Sequence, residues 1–378
     1  MLNSKTEALG IIFPNSYDAM VPDLVSERLM ASIPFASRYR MCDFILSSMV
    51  HSGIDNISII VRKNYHSLLD HLGAGREWDL VRKNGGLNIV PPFAQKQVFE
   101  GRIEALESLR GYLLKQPQKY VIMTDANIAI NFDFNELLDA HIKSGADVTM
   151  MYRKQEIPKA FIRQSRDRMD LYYALGMNGD RVSKIYINPT EEGEMNFSMN
   201  VYVVEREFLI RMIDDAYVHG HTYFVRDLLD KQIDRLDIRG FCYDGYVVNI
   251  HDTQSYFEEN MRLLQEENLN ALFSPNQIYT KIRDDNPTRY INGSKAKNVM
   301  VADGCVIEGE VENSVLFRGV HVGKGAKVKN CVLMQDTVVE DNASVEYVIT
   351  DKNVRVTEGK SLTGNESYQV YVSKGQVV

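Results

Sequence analysis

Asp125 closes the apolar run Tyr120-Val-Ile-Met-Thr124. A carboxylate at the carboxyl end of a buried strand stands where open α/β sheets hold their ligands, although it can also serve there as a turn or cap residue. Arg28, Arg38 and Arg40 follow one another closely. Three guanidinium groups can gather an anion, and the same groups also make ordinary surface ion pairs. Asp43 opens a helical pattern and is expected to cap or anchor it. Lys63, Tyr65 and His66 follow a strand pattern, where a helix-start role is expected. Arg76-Glu-Trp78 holds the single tryptophan, expected to pack in a core or interface. Gly85-Gly86 reads as an adaptable turn, because it lacks the strand-then-helix context of a phosphate loop. Cys42, Cys242, Cys305 and Cys331 are scattered, with neither a close pair nor zinc spacing, and read as reduced, mostly buried thiols.

The elements around these residues alternate. Ala8-Leu-Gly-Ile-Ile-Phe13, Ile57-Ser-Ile-Ile-Val61 and Tyr120–Thr124 are apolar runs suited to strands covered on both faces, and 147–151 is another. Helical patterns lie between them at about 43–52, 64–72, 102–115 and 135–144, with Gly53, Gly73 and Gly145 as stops. Strands separated by helices of this length read as βαβ units in a mostly parallel sheet. Residues 156–170 read as a solvated loop. Strands are expected near 171–177, 182–187 and 199–204, and helices at 205–217, 223–233 and 253–272. Residues 274–292 read as a linker.

The last ninety or so residues hold no helical pattern. Valine-centred segments recur at Asn298, Asn313, Asn330 and Glu346, and Val322–Val328 and Val339–Val345 each step by six. A hexad step nested in a longer repeat is the mark of a hexapeptide β-helix, in which each coil buries one apolar core against the next. The expected organisation is an α/β domain over 1–250, a helix and linker over 251–292, and a parallel β-helix over 293–378. Hexapeptide solenoids also occur in acyltransferases with a histidine base, for which His321 is the only candidate in that region.

Of the 378 residues, 44% are apolar and 25% charged, as in a globular chain, and the net charge is −8. An acidic balance argues against nucleic acid as the main partner. No apolar run approaches a membrane span. Met1–Thr6 is polar and lacks the layout of a signal peptide, which predicts a cytoplasmic protein.

The stretch Ile33-Pro-Phe-Ala-Ser-Arg-Tyr-Arg-Met-Cys-Asp-Phe-Ile-Leu-Ser47, continuing to Ser52-Gly-Ile54, resembles the V-P-F-G-G-K-Y-R-I-I-D-F-x-L-S-N…S-G-I motif of the glucose-1-phosphate adenylyltransferases. Tyr65-His-Ser-Leu-Leu69, Pro91-Pro92, Ser198-Met-Asn-Val-Tyr202 and Tyr256-Phe-Glu-Glu-Asn260 extend the match over nearly the whole chain. The resemblance implies a nucleotide-diphospho-sugar transferase-like (Rossmann-like) α/β domain followed by a left-handed β-helix. It also implies a family reaction in which ATP and glucose 1-phosphate give ADP-glucose and diphosphate.

The residues that this chemistry requires are largely replaced. Where the family has a Gly-rich loop to cradle the triphosphate, this chain reads Phe13-Pro-Asn-Ser-Tyr-Asp-Ala-Met20. Asn15 and Ser16 fill glycine positions, Asp18 adds a charge expected to repel phosphate, and Met20 stands for the arginine. The two lysines of K-R-A-K-P become Glu27 and Met30, while Arg28 is kept. The lysine of F-V-E-K-P becomes Asn188. Of the two metal-binding aspartates, the resemblance keeps Asp125, and Asn249 stands for the other unless Asp252 slips into its place. W-Y-x-G-T is matched only by Val98-Phe-Glu-Gly-Arg102. One carboxylate makes a poor Mg²⁺ site.

This pattern resembles the GlgD-type regulatory subunits. It implies a chain with little or no activity of its own and no cofactor of its own, Mg²⁺ being held by a catalytic partner in a mixed tetramer. Arg28, Arg38 and Arg40 fall in a segment that binds phosphate-containing effectors or nucleotides in relatives. The alternative is an independently active sugar-phosphate nucleotidyltransferase of altered specificity.

Overall fold

The structure is a computed structural model and describes residues 7–91, 101–162, 171–191 and 193–378. Met1–Thr6, Pro92, Val98–Glu100 and most of the loop expected over 156–170 lie outside the described residues.

Ala8–Phe13, Asn56–Ile60 and Tyr120–Asp125 are buried along their whole length. They lie inside a nine-stranded sheet with the order Gly86–Val90, Asn56–Ile60, Ala8–Phe13, Tyr120–Asp125, Glu194–Glu205, Val148–Glu156, Ile238–Cys242, Arg181–Ile187 and Tyr173–Asn178. Alternate side chains enter opposite cores, as the two-residue strand period requires. Leu9, Ile11, Val121 and Met123 face the helices Arg102–Leu113 and Arg206–Val218. Ala8, Ile12, Tyr120 and Ile122 face Met41–His51 and Phe134–Ser144.

The expectation of a mostly parallel sheet holds for the first four strands. Beyond them the sheet is mixed, because Glu194–Glu205 runs antiparallel to both neighbours and 173–187 is a hairpin turned at Gly179. Two helix expectations need correction. The pattern over 253–272 is two helices, Thr253–Arg262 and Glu266–Phe273, and Asn268 Nδ2 donates to the Arg262 carbonyl at 3.0 Å across the break. Residues 223–233 form a π-turn, Phe224–Leu229, and then a 3₁₀ turn, because the Asp227 carboxylate binds the Thr222 and Tyr223 N–H groups. In the segment expected to be a loop, Val148–Glu156 runs to the end of its strand and Lys159–Ile162 forms one helical turn.

The C-terminal part is a parallel solenoid. His321 pairs with Val338 and Val338 with Arg355, an advance of 17 residues per coil. Its interior is the valine column Val322, Val328, Val339, Val345 and Val356. The repeated asparagines mark one corner: Asn298, Asn313 and Asn330 all take positive φ, with Tyr347 in the equivalent place. Asparagine tolerates this left-handed turn better than most residues.

The two bodies are joined by a third core. Tyr256, Phe257, Leu263 and Leu272 pack with Phe35 and Phe44 on one side and with Val315, Phe317, Val332 and Met334 of the solenoid on the other. Tyr256 Oη donates to the Pro34 carbonyl at 2.9 Å, and Asn260 Oδ1 accepts from Ala36 N–H. Among the described residues, no helix is long and apolar enough to cross a membrane.

Candidate functional site

Phe13 and Asp125 are register partners at the carboxyl ends of adjacent parallel strands. The loop after Phe13 therefore folds over Asp125, at the edge where parallel sheets open a crevice. A cleft of about 560 Å³ lies there, with Asn15, Ser16, Tyr17, Arg62, Arg102 and Asn200 among the residues that line it.

The Asp125 carboxylate is 1% exposed. Its Oδ1 accepts from Ser16 Oγ at 2.7 Å and from Arg102 Nη2 at 2.5 Å, while its Oδ2 has no hydrogen-bond partner among the described residues. Burial raises the carboxyl above its usual range, against the pull of Arg102 and Ser16. The Arg102 guanidinium also lies over the Phe13 ring, 4.5 Å from its centroid. The Tyr17 backbone is left-handed, a strain on the order of 1–3 kcal/mol for a bulky residue. Tyr17 is held there by Oη donating to the Leu171 carbonyl at 3.1 Å, by Asn200 Nδ2 donating to Oη at 2.8 Å, and by an edge contact with Phe161.

Not every loop residue singled out from sequence reaches this cleft. Asn15 and Ser16 do, and Asn15 Oδ1 accepts from the Arg62 N–H. Asp18 does not act as a charge in the phosphate space. Its carboxylate turns inward, accepting from the Met30 N–H at 2.8 Å and from Asn15 Nδ2 at 2.7 Å. Met20 and Met30 are buried in the third core rather than lining the cleft. Asn188 exchanges two hydrogen bonds with the Tyr172 backbone, each 2.9 Å. Asn249 Oδ1 accepts from Asn127 Nδ2 at 3.0 Å, and Asp252 caps the helix Thr253–Arg262. Arg102 was found in sequence only as a mismatch to a motif, and nothing local pointed to its partner 23 residues away.

Arg28, read as a possible anion ligand, is instead committed. It is 2% exposed, and its Nη2 lies 2.5 Å from Oδ1 of Asp351, a fully buried residue of the solenoid. Arg38 and Arg40 do open onto a second cleft, of about 430 Å³, between the two bodies. Lys281 and Arg283 face it from the connecting segment, and Arg318, Lys352 and Lys374 from the solenoid. Asp70 and Asp336 are the carboxylates on its wall. Burial, with Arg40 and Arg28 adding, pushes the Lys352 ammonium down to about 7. The five cations beyond Arg38 and Arg40 were not legible as a site, because they come from distant segments.

Beneath this cleft Asp43 performs the expected anchoring. Its Oδ2 accepts from the Arg40 N–H at 3.0 Å, and its Oδ1 is 2.6 Å from His71 Nε2. Trp78 is fully buried edge-on to His71, as expected of a packing residue. Three of the four cysteines are buried and Cys242 is exposed. His321 pairs with Glu308 on the outer surface of the solenoid.

Comparison with known proteins matches residues 23–266 to the nucleotidyl transferase family model and 282–371 to the GlmU-like C-terminal hexapeptide model. The glycogen biosynthesis protein GlgD of Bacillus subtilis (strain 168) is 32% identical over 98% of this chain and 97% of its own length. The chain belongs to the GlgD and glucose-1-phosphate adenylyltransferase family. GlgD of Geobacillus stearothermophilus is 36% identical over 85% of this chain and 82% of its own. The glucose-1-phosphate adenylyltransferase of the same organism is 29% identical over 86% and 84%. The C-terminal solenoid is accordingly the left-handed β-helix expected from sequence.

Set against that family, the residues at the cleft do not fit its divalent ion. Asp125 spends one oxygen on a serine and an arginine. The second expected ligand is a carboxamide bonded to Asn127, and Asp252 is occupied as a helix cap.

Proposed function

We propose that this chain is a regulatory subunit of glucose-1-phosphate adenylyltransferase, non-catalytic or weakly catalytic alone, that enhances a catalytic sister subunit in bacterial glycogen synthesis. The family and the names of the relatives supply the pathway. The observation that carries the regulatory reading is the Asp125–Arg102 ion pair, in a cleft whose phosphate loop is rebuilt around inward-facing side chains. Catalysis of adenylyl transfer rests on positive charge aimed at the phosphates, and each strong element lost costs on the order of a hundredfold or more. The partner is a catalytic subunit in a mixed tetramer, in the cytoplasm, and Mg²⁺ belongs to that partner.

The test is ADP-glucose synthesis from ATP, Mg²⁺ and glucose 1-phosphate. The chain alone is expected to turn over at least about a hundredfold more slowly than the catalytic subunit. Mixing the two should form a stable hetero-oligomer and raise the catalytic subunit's kcat/KM. Robust turnover by the chain alone would establish the alternative, an independently active nucleotidyltransferase of altered specificity. Failure to form a mixed oligomer would overturn the regulatory reading.

The same proposal assigns the inter-domain cleft to a phosphate-containing effector, received by Arg38 and Arg40 with the solenoid cations. Here pH is informative. Lys352 is charged below about 7 and neutral above it. Anion affinity should therefore be full at pH 6 and fall through pH 8, by about tenfold for one charge-assisted hydrogen bond lost. Calorimetric titration with sulfate, which does not itself titrate in this range, measures this. Lys352→Gln should bind sulfate weakly and with a flat pH profile. An unchanged profile in that variant would remove Lys352 from the site.

A further inference from the structure

Position 102 is the first residue of the helix Arg102–Leu113, and Gly101 before it is pinned: a Cβ there would lie 2.3 Å from the Thr222 carbonyl oxygen. The Arg102 side chain is thus launched from a fixed point into the bottom of the cleft. Its guanidinium is flanked by the rings of Phe13 and Tyr202, at 4.5 and 5.5 Å from their centroids, and meets Asp125. The pair is well enclosed, with side chains 16% and 1% exposed. A carboxylate so deeply buried requires a counter-charge. We infer that Arg102 is a built-in cation that occupies the coordination space of Asp125, so that this chain satisfies with its own side chain what a divalent ion would otherwise satisfy.

Three features support this beyond the ion pair itself. The aromatic flanks fit a planar, delocalised cation. Ser16, from the rebuilt loop, donates to the oxygen that Arg102 holds, so loop and arginine form one arrangement. The other carboxylate oxygen is buried and has no hydrogen-bond partner among the described residues, so coordination capacity remains there. The inference concerns the cleft alone and stands whether or not the chain stimulates a partner.

The test is Mn²⁺ binding, followed by electron paramagnetic resonance and by water-proton relaxation, on the full-length protein. Wild type and Asp125→Asn should bind Mn²⁺ equally, with no site that depends on Asp125. Arg102→Met keeps the apolar stem between the rings and removes the charge. It should gain one weak site, at least tenfold tighter than anything in wild type, and Arg102→Met/Asp125→Asn should lose it. Added Mn²⁺ should raise the melting temperature of Arg102→Met but not of wild type or Arg102→Lys. An Asp125-dependent Mn²⁺ site in wild type would overturn the inference, and that result needs no variant at position 102 to fold. A folded Arg102→Met that gains no such site would overturn it equally.

Discussion

Arg28→Met will destabilise the folded chain by about 3–5 kcal/mol, the usual cost of removing one partner of a buried ion pair. The loss comes from what stays behind. Asp351 is fully buried and would keep the Tyr371 hydroxyl at 3.0 Å and the Lys352 N–H at 2.6 Å, with the Arg28 charge gone. Arg28 also donates from Nη1 to the Leu24 carbonyl at 3.1 Å, which would lose a donor. Equilibrium denaturation in urea measures the difference. Arg28→Met/Asp351→Asn should recover much of it, because the stranded charge is then removed as well. A single-variant loss below about 1 kcal/mol would mean that the pair is solvated in solution.

Asp43→Ala should cost about as much by a different route. The carboxylate satisfies two buried groups at once, the Arg40 N–H at the start of the helix Met41–His51 and the ring of His71. Loss of a helix cap is worth about 1 kcal/mol, and stranding a buried donor about 1–3 kcal/mol. Together they give a loss of about 2–4 kcal/mol. Asp43→Asn retains one acceptor and should fall between. If Asp43→Ala and Asp43→Asn melt together, the acceptor that asparagine retains contributes nothing. Because Arg40 and His71 both face the inter-domain cleft, Asp43→Ala should also weaken sulfate binding there, which a purely structural cap would not do.

Local patterns carried most of the architecture. Apolar runs announced the central strands, and the recurring valine segments with their hexad step announced the solenoid. The element ends that were missed had no local signal. No glycine or proline marks the break between Arg262 and Glu266, and the turn after Tyr223 is set by a side chain, Asp227, reaching back to the backbone. At the site, sequence showed which residues were absent but not what the replacements do. Asp18 could be read as a charge, yet its use as a cap for Met30 depends on the loop's own path. Arg28 and Asp351 are 323 residues apart, and Arg102 meets Asp125 only because a helix start and a strand end converge. Pairings of that kind are decided by topology, and periodicity within a short window carries no information about them.

The core shared by Tyr256, Phe257, Phe317 and Met334 places inheritance and folding at odds. By descent the chain is two modules, one matched up to residue 266 and the other from 282. By packing it has no seam there. Tyr256 reaches back to Pro34 while its neighbour Phe257 meets Tyr347 of the solenoid. A cut at the module boundary would therefore leave two polypeptides, each with a matching apolar face bared to water, and their most favourable refuge would be one another. The solenoid is less an appendage than the far wall of the first domain's interior, so a change of tilt in either body must be felt by the other.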